Sequence, residues 1–132
     1  MTVEEIEKAR EAWQTLILSR RELERLEDIV PRPPKMRAYW KLQERERLYE
    51  MHQRAIRNCK EVMRDCELVI DPVIRWAEAC PDDIKQIVRL YVLELMPWSE
   101  ISLKVCGDGA PSTARNRLVR HINDADPIDR TE

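Results

Sequence analysis

The sequence has 132 residues, which is about one domain with a continuous hydrophobic core. Its 23 lysines and arginines nearly balance its 25 aspartates and glutamates, and the net charge is -2. Charged residues nevertheless make up 36% of the chain, above the roughly 25% of an ordinary domain. The chain has two glycines and shows no apolar alternation, and these features exclude an all-β fold. We therefore expect an all-α protein.

Composition also indicates the cell compartment. No apolar run approaches the roughly 20 residues that span a bilayer, and the first five residues lack the basic start of a signal peptide. The four cysteines, Cys59, Cys66, Cys80 and Cys106, form no C-x-x-C pair and have no neighbouring histidine cluster. We expect a cytoplasmic protein that binds no membrane, metal or cofactor, with cysteines that serve packing.

Prolines mark the ends of the predicted helices. Thr2 and Glu5 form a capping box at the start of the first helix. Apolar residues then follow at spacings typical of one helix face: Ile6, Ala9, Trp13, Leu16, Leu23 and Val30. This pattern predicts a helix over residues 3–29. Pro31-Arg32-Pro33-Pro34 cannot continue it because proline lacks an amide donor, so an extended connector is expected.

A second long helix is predicted to start near residues 36–42. From Leu48 onward its apolar positions step by four and three residues, as in a heptad seam. The seam comprises Leu48, His52, Ala55, Cys59, Val62, Cys66, Val69, Val73 and Trp76, and it is widened on one flank by Ile56, Met63, Ile70 and Ala77. Pro72 either kinks this helix or starts a fresh one, and the unbroken phase favours the kink. Residues 1–80 are thus predicted to form an antiparallel, partner-binding helical hairpin.

Three shorter helices are expected in residues 81–123. The first is predicted to be capped by Asp82 or Asp83 and to end at Met96-Pro97. Its apolar face comprises Ile84, Ile87, Val88, Tyr91 and Leu95. The second helix spans about 98–106.

The loop that follows, residues 107–110, contains both glycines of the chain. This concentration indicates a turn with positive φ, at which Asp108 is expected to be dispensable. The third helix then runs over 111–123, and the acidic segment 124–132 is expected to be disordered.

The helix over 111–123 has two contrasting faces. Ala114, Leu118 and Ile122 form an apolar side that should pack on the two preceding helices. The other side and its flanks carry Ser112, Thr113, Arg115, Asn116, Arg117 and Arg120. Amide and guanidinium groups can pair with base edges in a major groove, and hydroxyl and basic groups, including Lys104, can contact phosphates. This constellation predicts DNA binding.

Segment 87–122 resembles the helix-turn-helix of region 4 of the bacterial sigma-70 factors. The matching residues are Trp98-Ser99-Glu100-Ile101, Gly107 and Ser112-Thr113-Ala114-Arg115-Asn116-Arg117-Leu118. The chain is similar in particular to the small transcription activators of phages and gene-transfer agents, of the RinA and ArpU kinds, in which a helical part precedes this module. The resemblance implies that Asn116, Arg117 and Arg120 face promoter DNA.

The chain departs from the family pattern at three points. Pro97 stands where a capping serine or threonine is usual, and Ser102 replaces the common alanine. The turn over 107–110 is one residue longer than in the family.

These observations predict a non-enzymatic transcription activator that binds double-stranded DNA. RNA polymerase is the expected partner of the hairpin, and homodimerisation through the same hairpin is an alternative. A fragment without residues 1–80 is expected to remain folded. Two other functions stay open: a small-terminase-like DNA recruiter in phage packaging or assembly, and a protein-binding adaptor.

Overall fold

The structure of the protein is a computed structural model that describes residues 1–29 and 42–125. These residues form helices and contain no strand: α1 (Val3–Asp28), α2 (Leu42–Glu78), α3 (Asp82–Val92), α4 (Trp98–Ile101), a π-helix (Ser102–Cys106) and α5 (Pro111–Ala125). The all-α prediction is confirmed. The predictions for the proline-rich connector, for the start of the second helix near residues 36–42 and for tail residues 126–132 lie outside the described residues.

Contacts divide the chain into two compact units. One contains Met1–Gln14 together with the described residues from Cys66 onward, and the other contains Thr15–Asp65. Both α1 and α2 contribute residues to each unit. These units differ from the functional segments 1–80 and 81–123, whose roles stay predictions.

Helix α1 begins as its sequence predicts. The Thr2 hydroxyl oxygen accepts a hydrogen bond from the Glu5 amide at 3.1 Å, which satisfies one of the unpaired donors of the first turn. The predicted apolar stripe is buried at Ile6, Ala9 and Leu16 and half-buried at Trp13 and Leu23. The helix ends at Asp28, one residue earlier than predicted.

Helix α2 continues through Pro72, so the alternative of a fresh helix at this residue is wrong. Its buried residues are Cys66, Ile70, Val73 and Ala77, which lie four and three residues apart. Three of the nine residues of the predicted seam, however, lie at the surface, since Leu48, Val62 and Val69 are exposed. The inward face of α2 therefore comprises the line through His52, Cys59 and Cys66 and, beside it, the flank that widens the predicted seam: Ile56, Met63, Ile70 and Ala77.

The first compact unit has one hydrophobic core. It joins Ile6 and Ala9 of α1, Val73 and Ala77 of α2, and residues of the three C-terminal helices and the π-helix. The C-terminal contributors are Ile84, Ile87, Val88, Leu90, Tyr91, Val92, Ile101, Ala114, Leu118 and Ile122, with Val105 packed against them. A fragment without residues 1–80 would lack Ile6, Ala9, Val73 and Ala77 of this core, so the expectation that it stays folded remains a prediction.

Helix α3 differs from its prediction at both ends. It starts after Pro81 with no side-chain cap, so neither Asp82 nor Asp83 acts as the predicted cap. It ends at Val92 instead of continuing to Met96, because Leu95 adopts a left-handed conformation with φ of 55°. Positive φ is uncommon for a bulky side chain, so the surrounding contacts must hold it.

Arg10 of α1 supplies such contacts. Its guanidinium donates hydrogen bonds to the carbonyl oxygens of Met96 at 3.0 Å and Leu95 at 3.2 Å. The same group lies over the Tyr91 ring, with its central carbon 4.3 Å from the ring centroid. Tyr91 in turn stacks on Trp98, with centroids 4.3 Å apart. Arg10 of α1 therefore bonds directly to the loop between α3 and α4. It also contacts Tyr91, one of the two stacked rings that join α3 to α4.

The shared core predicts that a change near the N-terminus destabilises the unit containing α3–α5. Replacing Ile6 by alanine should lower the free energy of unfolding by about 2–5 kcal/mol, because the side chain is fully buried and leaves a cavity. Leu18→Ala, at a residue of the same helix that is 64% exposed, is the control and should change stability by no more than about 0.5 kcal/mol. Equal losses in chemical denaturation would contradict the proposed core.

Candidate nucleic-acid interface

A buried hydrogen bond joins the π-helix to the first turn of α5. Ser102 is fully buried, and its hydroxyl oxygen accepts a hydrogen bond from the Ala114 amide at 3.0 Å. The first amides of a helix have no partner within the helix, so this hydroxyl replaces a capping side chain from a neighbouring element. The departure from the family alanine at residue 102 therefore has a structural consequence.

The turn between the π-helix and α5 depends on one glycine. Gly107 adopts the left-handed conformation with φ of 73°, as the sequence predicts for this loop. Its amide donates to the Leu103 carbonyl at 3.2 Å, and the next amide, of Asp108, donates to the Ser102 carbonyl at 3.3 Å. Both bonds satisfy carbonyl groups at the end of the π-helix. Gly109 does not have a positive φ and is not required for this reason.

Asp108 makes two hydrogen bonds that the sequence pattern does not indicate. One carboxylate oxygen accepts the Ala110 amide at 3.0 Å, and the other accepts the Thr113 hydroxyl at 2.9 Å. The backbone bond from Ala110, and then the bond from Thr113, lower the pKa of the Asp108 carboxyl below its usual value. The Asp108 carboxylate thus stabilises the start of α5 on its exposed side, and the Ser102 hydroxyl stabilises it on its buried side.

Helix α5 has the two faces that its sequence predicts. Ala114, Leu118 and Ile122 are buried in the core. The predicted DNA-contacting side chains that are exposed are Ser112, Arg115, Asn116, Arg117 and Arg120 on α5, and Lys104 on the π-helix. Thr113 is half-buried, and its hydroxyl already bonds Asp108, so it does not belong to the free surface. The helix also extends to Ala125, two residues into the predicted disordered tail.

The exposed residues are not all equivalent. Arg117 lies 3.7 Å from the carboxylate of Asp83 on α3, and both side chains remain nearly half exposed, so the pair contributes little to stability. Arg117 and Arg120 line a shallow groove between α3 and α5, together with Pro81, Asp83, Ile84, His121 and Asp124. Asp83 and Asp124 therefore lie at the edge of the arginine-bearing face of α5, whereas no acidic residue occurs from 109 to 123.

Sequence reasoning misses Arg10, Asp83 and Leu95. The contacts of Arg10 with residues 95 and 96 are formed across more than 80 positions of the chain, so no local pattern could indicate them. The sequence suggests Asp83 as a cap because aspartate is common there, but its carboxylate instead pairs with Arg117.

The described residues contain no group of three or more histidine, cysteine, aspartate or glutamate side chains that could hold a metal ion. Cys80 donates a hydrogen bond from its thiol to the Trp76 carbonyl at 3.2 Å, and burial raises the pKa of this thiol. A raised pKa keeps the thiol protonated and less nucleophilic, in agreement with a packing role. Within the same ranges, no helix has the length and apolar character needed to cross a membrane.

Comparison with known proteins adds no relative. No family model, curated protein or solved structure matches the chain. The resemblance to sigma region 4 and the DNA-contacting roles of the α5 residues therefore stay predictions, supported by the motif residues and by the geometry of the site.

The bond between the π-helix and α5 yields a test at Ser102. Ser102→Ala should destabilise the protein by about 1–3 kcal/mol, because the Ala114 amide stays buried without an acceptor. The control is Ser112→Ala, which removes the same atom from an exposed position of α5. Thermal unfolding of both variants measures the difference. If Ser102→Ala matches the control, the buried bond does not hold the two elements together.

The Asp108 contacts predict a pH dependence. Its folded-state pKa is lowered, so its stabilising contribution is complete above the pKa of the unfolded carboxyl and is lost as the pH falls through the lower folded pKa. Asp108→Ala should therefore lower the melting temperature at pH 7, and the difference from the parent should shrink as the pH falls below about 4. Asp71→Ala, an exposed acid on α2, is the control. A difference that is constant with pH would contradict the role of the carboxylate.

Proposed function

We propose that this protein is a DNA-binding transcription activator that reads promoter DNA with helix α5. In this proposal, α4 with the π-helix forms the first helix of a helix-turn-helix, Gly107 forms its turn, and α5 enters the major groove. The observation that carries the proposal is the surface of α5. One side of the helix is buried in the core, while the other exposes amide, hydroxyl and guanidinium groups with no acid from residue 109 to 123.

The exposed groups differ in the contact that each can make. Asn116 and Arg120 lie opposite the buried face, where their side chains can pair with adenine and guanine, respectively. Arg115 and Lys104 lie toward the sides and supply phosphate contacts. The Ala114 and Thr113 amides already bond Ser102 and Ala110 within the protein, so the phosphate contacts must come from side chains.

The additional residue of the turn is compatible with this geometry. The π-helix over Ser102–Cys106 places Ser102 against Ala114 and Gly107 at the left-handed position. The α4–α5 connection can thus keep a close contact between its helices although the loop is longer than in the family.

The activator role rests on the resemblance to region 4 and on a simple electrostatic argument. Lys104, Arg115 and Arg120 are exposed cations of the DNA-facing surface, whereas Arg117 is paired with Asp83. Because Arg120 is assigned to a base, Lys104 and Arg115 leave two phosphate contacts, which give weak binding at physiological salt. A second link, to RNA polymerase, would raise the effective concentration at the promoter. We assign that link to the N-terminal helices, and we assign no catalytic reaction to the protein.

A phage packaging or assembly DNA recruiter is the second candidate. The observation that favours it is the set of large apolar side chains exposed on α2, which would suit self-association: Leu48, Tyr49, Met51, Val62, Leu68 and Val69. A ring of many copies in solution would favour the recruiter, whereas a monomer or dimer would favour the activator.

Binding to a selected DNA sequence tests the proposal. A short duplex should first be enriched from a randomised pool with the full chain. Asn116→Ala and Arg120→Ala should each weaken binding to this duplex by about 1–3 kcal/mol and relax the preference at one base position. Arg64→Ala, which removes an equally charged exposed side chain from α2, is the control and should bind as the parent does. Failure to enrich any sequence would reject the proposal.

The salt dependence of the same complex counts its phosphate contacts. Two contacts predict a slope of about -1.8 in log affinity against log salt, which is an approximately 12-fold loss of affinity between 50 and 200 mM. Transcription from a template that carries the enriched site, measured with purified bacterial polymerase, then tests activation. Specific binding without stimulation by the parent would leave DNA recognition standing and contradict the activator role.

A further inference from the structure

Within the second compact unit, one flank of α2 carries an apolar line that no other described helix fully covers. Leu48, Ala55 and Val62 are spaced seven residues apart, and Leu48 and Val62 are 43% and 40% exposed. Met51, next to this line, is 59% exposed. We call these four residues the outer stripe. The inward side of the same helix segment is a separate line that includes His52, Ile56, Cys59 and Met63, all of them half-buried.

The spacing of the outer stripe is that of a helix-pairing seam. Residues seven apart drift by only about 20° around an α-helix, so the stripe is nearly straight over the roughly 21 Å between Leu48 and Val62. A straight line of leucine, methionine, alanine and valine matches the surface of another helix. The small side chain of Ala55 lies at its midpoint, where two helix backbones could approach closely.

Charges beside the stripe determine which helix fits. Arg47 precedes Leu48, whereas Glu61 precedes Val62 and Asp65 lies one turn further on, and all three are exposed on the same flank. In an antiparallel pair of identical helices with its twofold axis at Ala55, Leu48 of one copy meets Val62 of the other. Arg47 then lies beside Glu61 and Asp65 of the other copy, and the symmetry repeats this contact.

A parallel pair of the same helices lacks this attraction. A twofold axis parallel to the helices would put the two copies of this flank on opposite sides of the interface, so Arg47 would lose its contact with Glu61 and Asp65 of the other copy. The antiparallel pair has one unfavourable contact, since Arg54 lies next to the axis and therefore near its symmetry copy. The two Arg54 side chains approach each other only if the twofold axis lies near Ala55, so a change at Arg54 tests this antiparallel register.

We propose that two copies of this chain associate through the outer stripe of α2, with their α2 helices antiparallel. The proposal uses only residues of the second compact unit and does not depend on DNA binding. One helix face per copy is a small interface, so we expect association in the micromolar range. A dimer would also supply two copies of α5, which would raise the effective concentration at the DNA in addition to a link to polymerase.

Sedimentation equilibrium of the full chain tests this interface. Leu48→Glu should weaken dimerisation by at least about tenfold, because it places a charge against Val62 of the other copy at both ends of the apolar contact. The matched control is Leu68→Glu, at a residue 69% exposed on a different side of α2, and it should leave dimerisation unchanged. A parent that stays monomeric at several hundred micromolar, or a ring of more than two copies, would overturn the proposal. If residues 30–41 of the same chain cover the stripe instead, the parent will stay monomeric and the proposal is wrong.

Charge reversal tests the antiparallel register. Arg47→Glu and Glu61→Arg should each weaken the dimer by at least about tenfold, and the double variant should bind more tightly than either single variant, because each contact between positions 47 and 61 again joins opposite charges. Restoration should be partial, because the new carboxylate at position 47 still lies beside Asp65. Arg54→Gln should tighten the dimer by removing repulsion at the axis. A double variant no tighter than the single variants would overturn the antiparallel arrangement. Circular dichroism of each variant confirms that its helices are intact.

Discussion

The hydrogen bond from the Ala114 amide to the Ser102 hydroxyl is the contact on which the C-terminal part of the structure depends. It connects the π-helix to the first turn of α5 inside the core, where neither group can bond water. Because the amide belongs to the backbone of α5, the bond determines where the helix starts and how it is rotated. The rotation buries Leu118 and leaves Asn116 exposed. The buried polar contact and the apolar face of α5 together therefore determine which side of the helix is exposed.

The N-terminal residues are part of the same physical system. Ile6 and Ala9 fill the core beneath the C-terminal helices, and Arg10 bonds the loop that precedes α4. The left-handed conformation of Leu95 costs free energy that these contacts must offset. In the proposed activator, a partner that displaced the start of α1 would therefore also disturb α3, α4 and α5, which gives the two ends of the chain a mechanical connection.

Charge in this protein is organised locally. The chain has a net charge of -2, yet α5 has three arginines and no acid before Asp124. Acids surround this basic surface, with Asp83 beside Arg117, Asp108 at the start of the helix and Asp124 near its end. Such an arrangement limits nonspecific attraction to nucleic acid, because long-range attraction depends on the summed charge while base contacts depend on a few side chains. For the proposed function, this arrangement of charges favours selectivity among DNA sequences over high affinity for DNA in general.

Local signals in the sequence determined the helices, the Thr2 cap, the passage of α2 through Pro72 and the Gly107 turn, because each depends on residues within one or two helical turns. Tertiary structure decided the rest. Three apolar lines run along α2, but a helix packed on one side can bury only part of its circumference, so packing selected the line through Cys66 and Val73 and left Leu48 and Val62 exposed. The ends of α3, the role of Asp108 and the place of Ile6 in the C-terminal core likewise depend on contacts formed only when the chain folds. Spacing within one element contains no information about such partners.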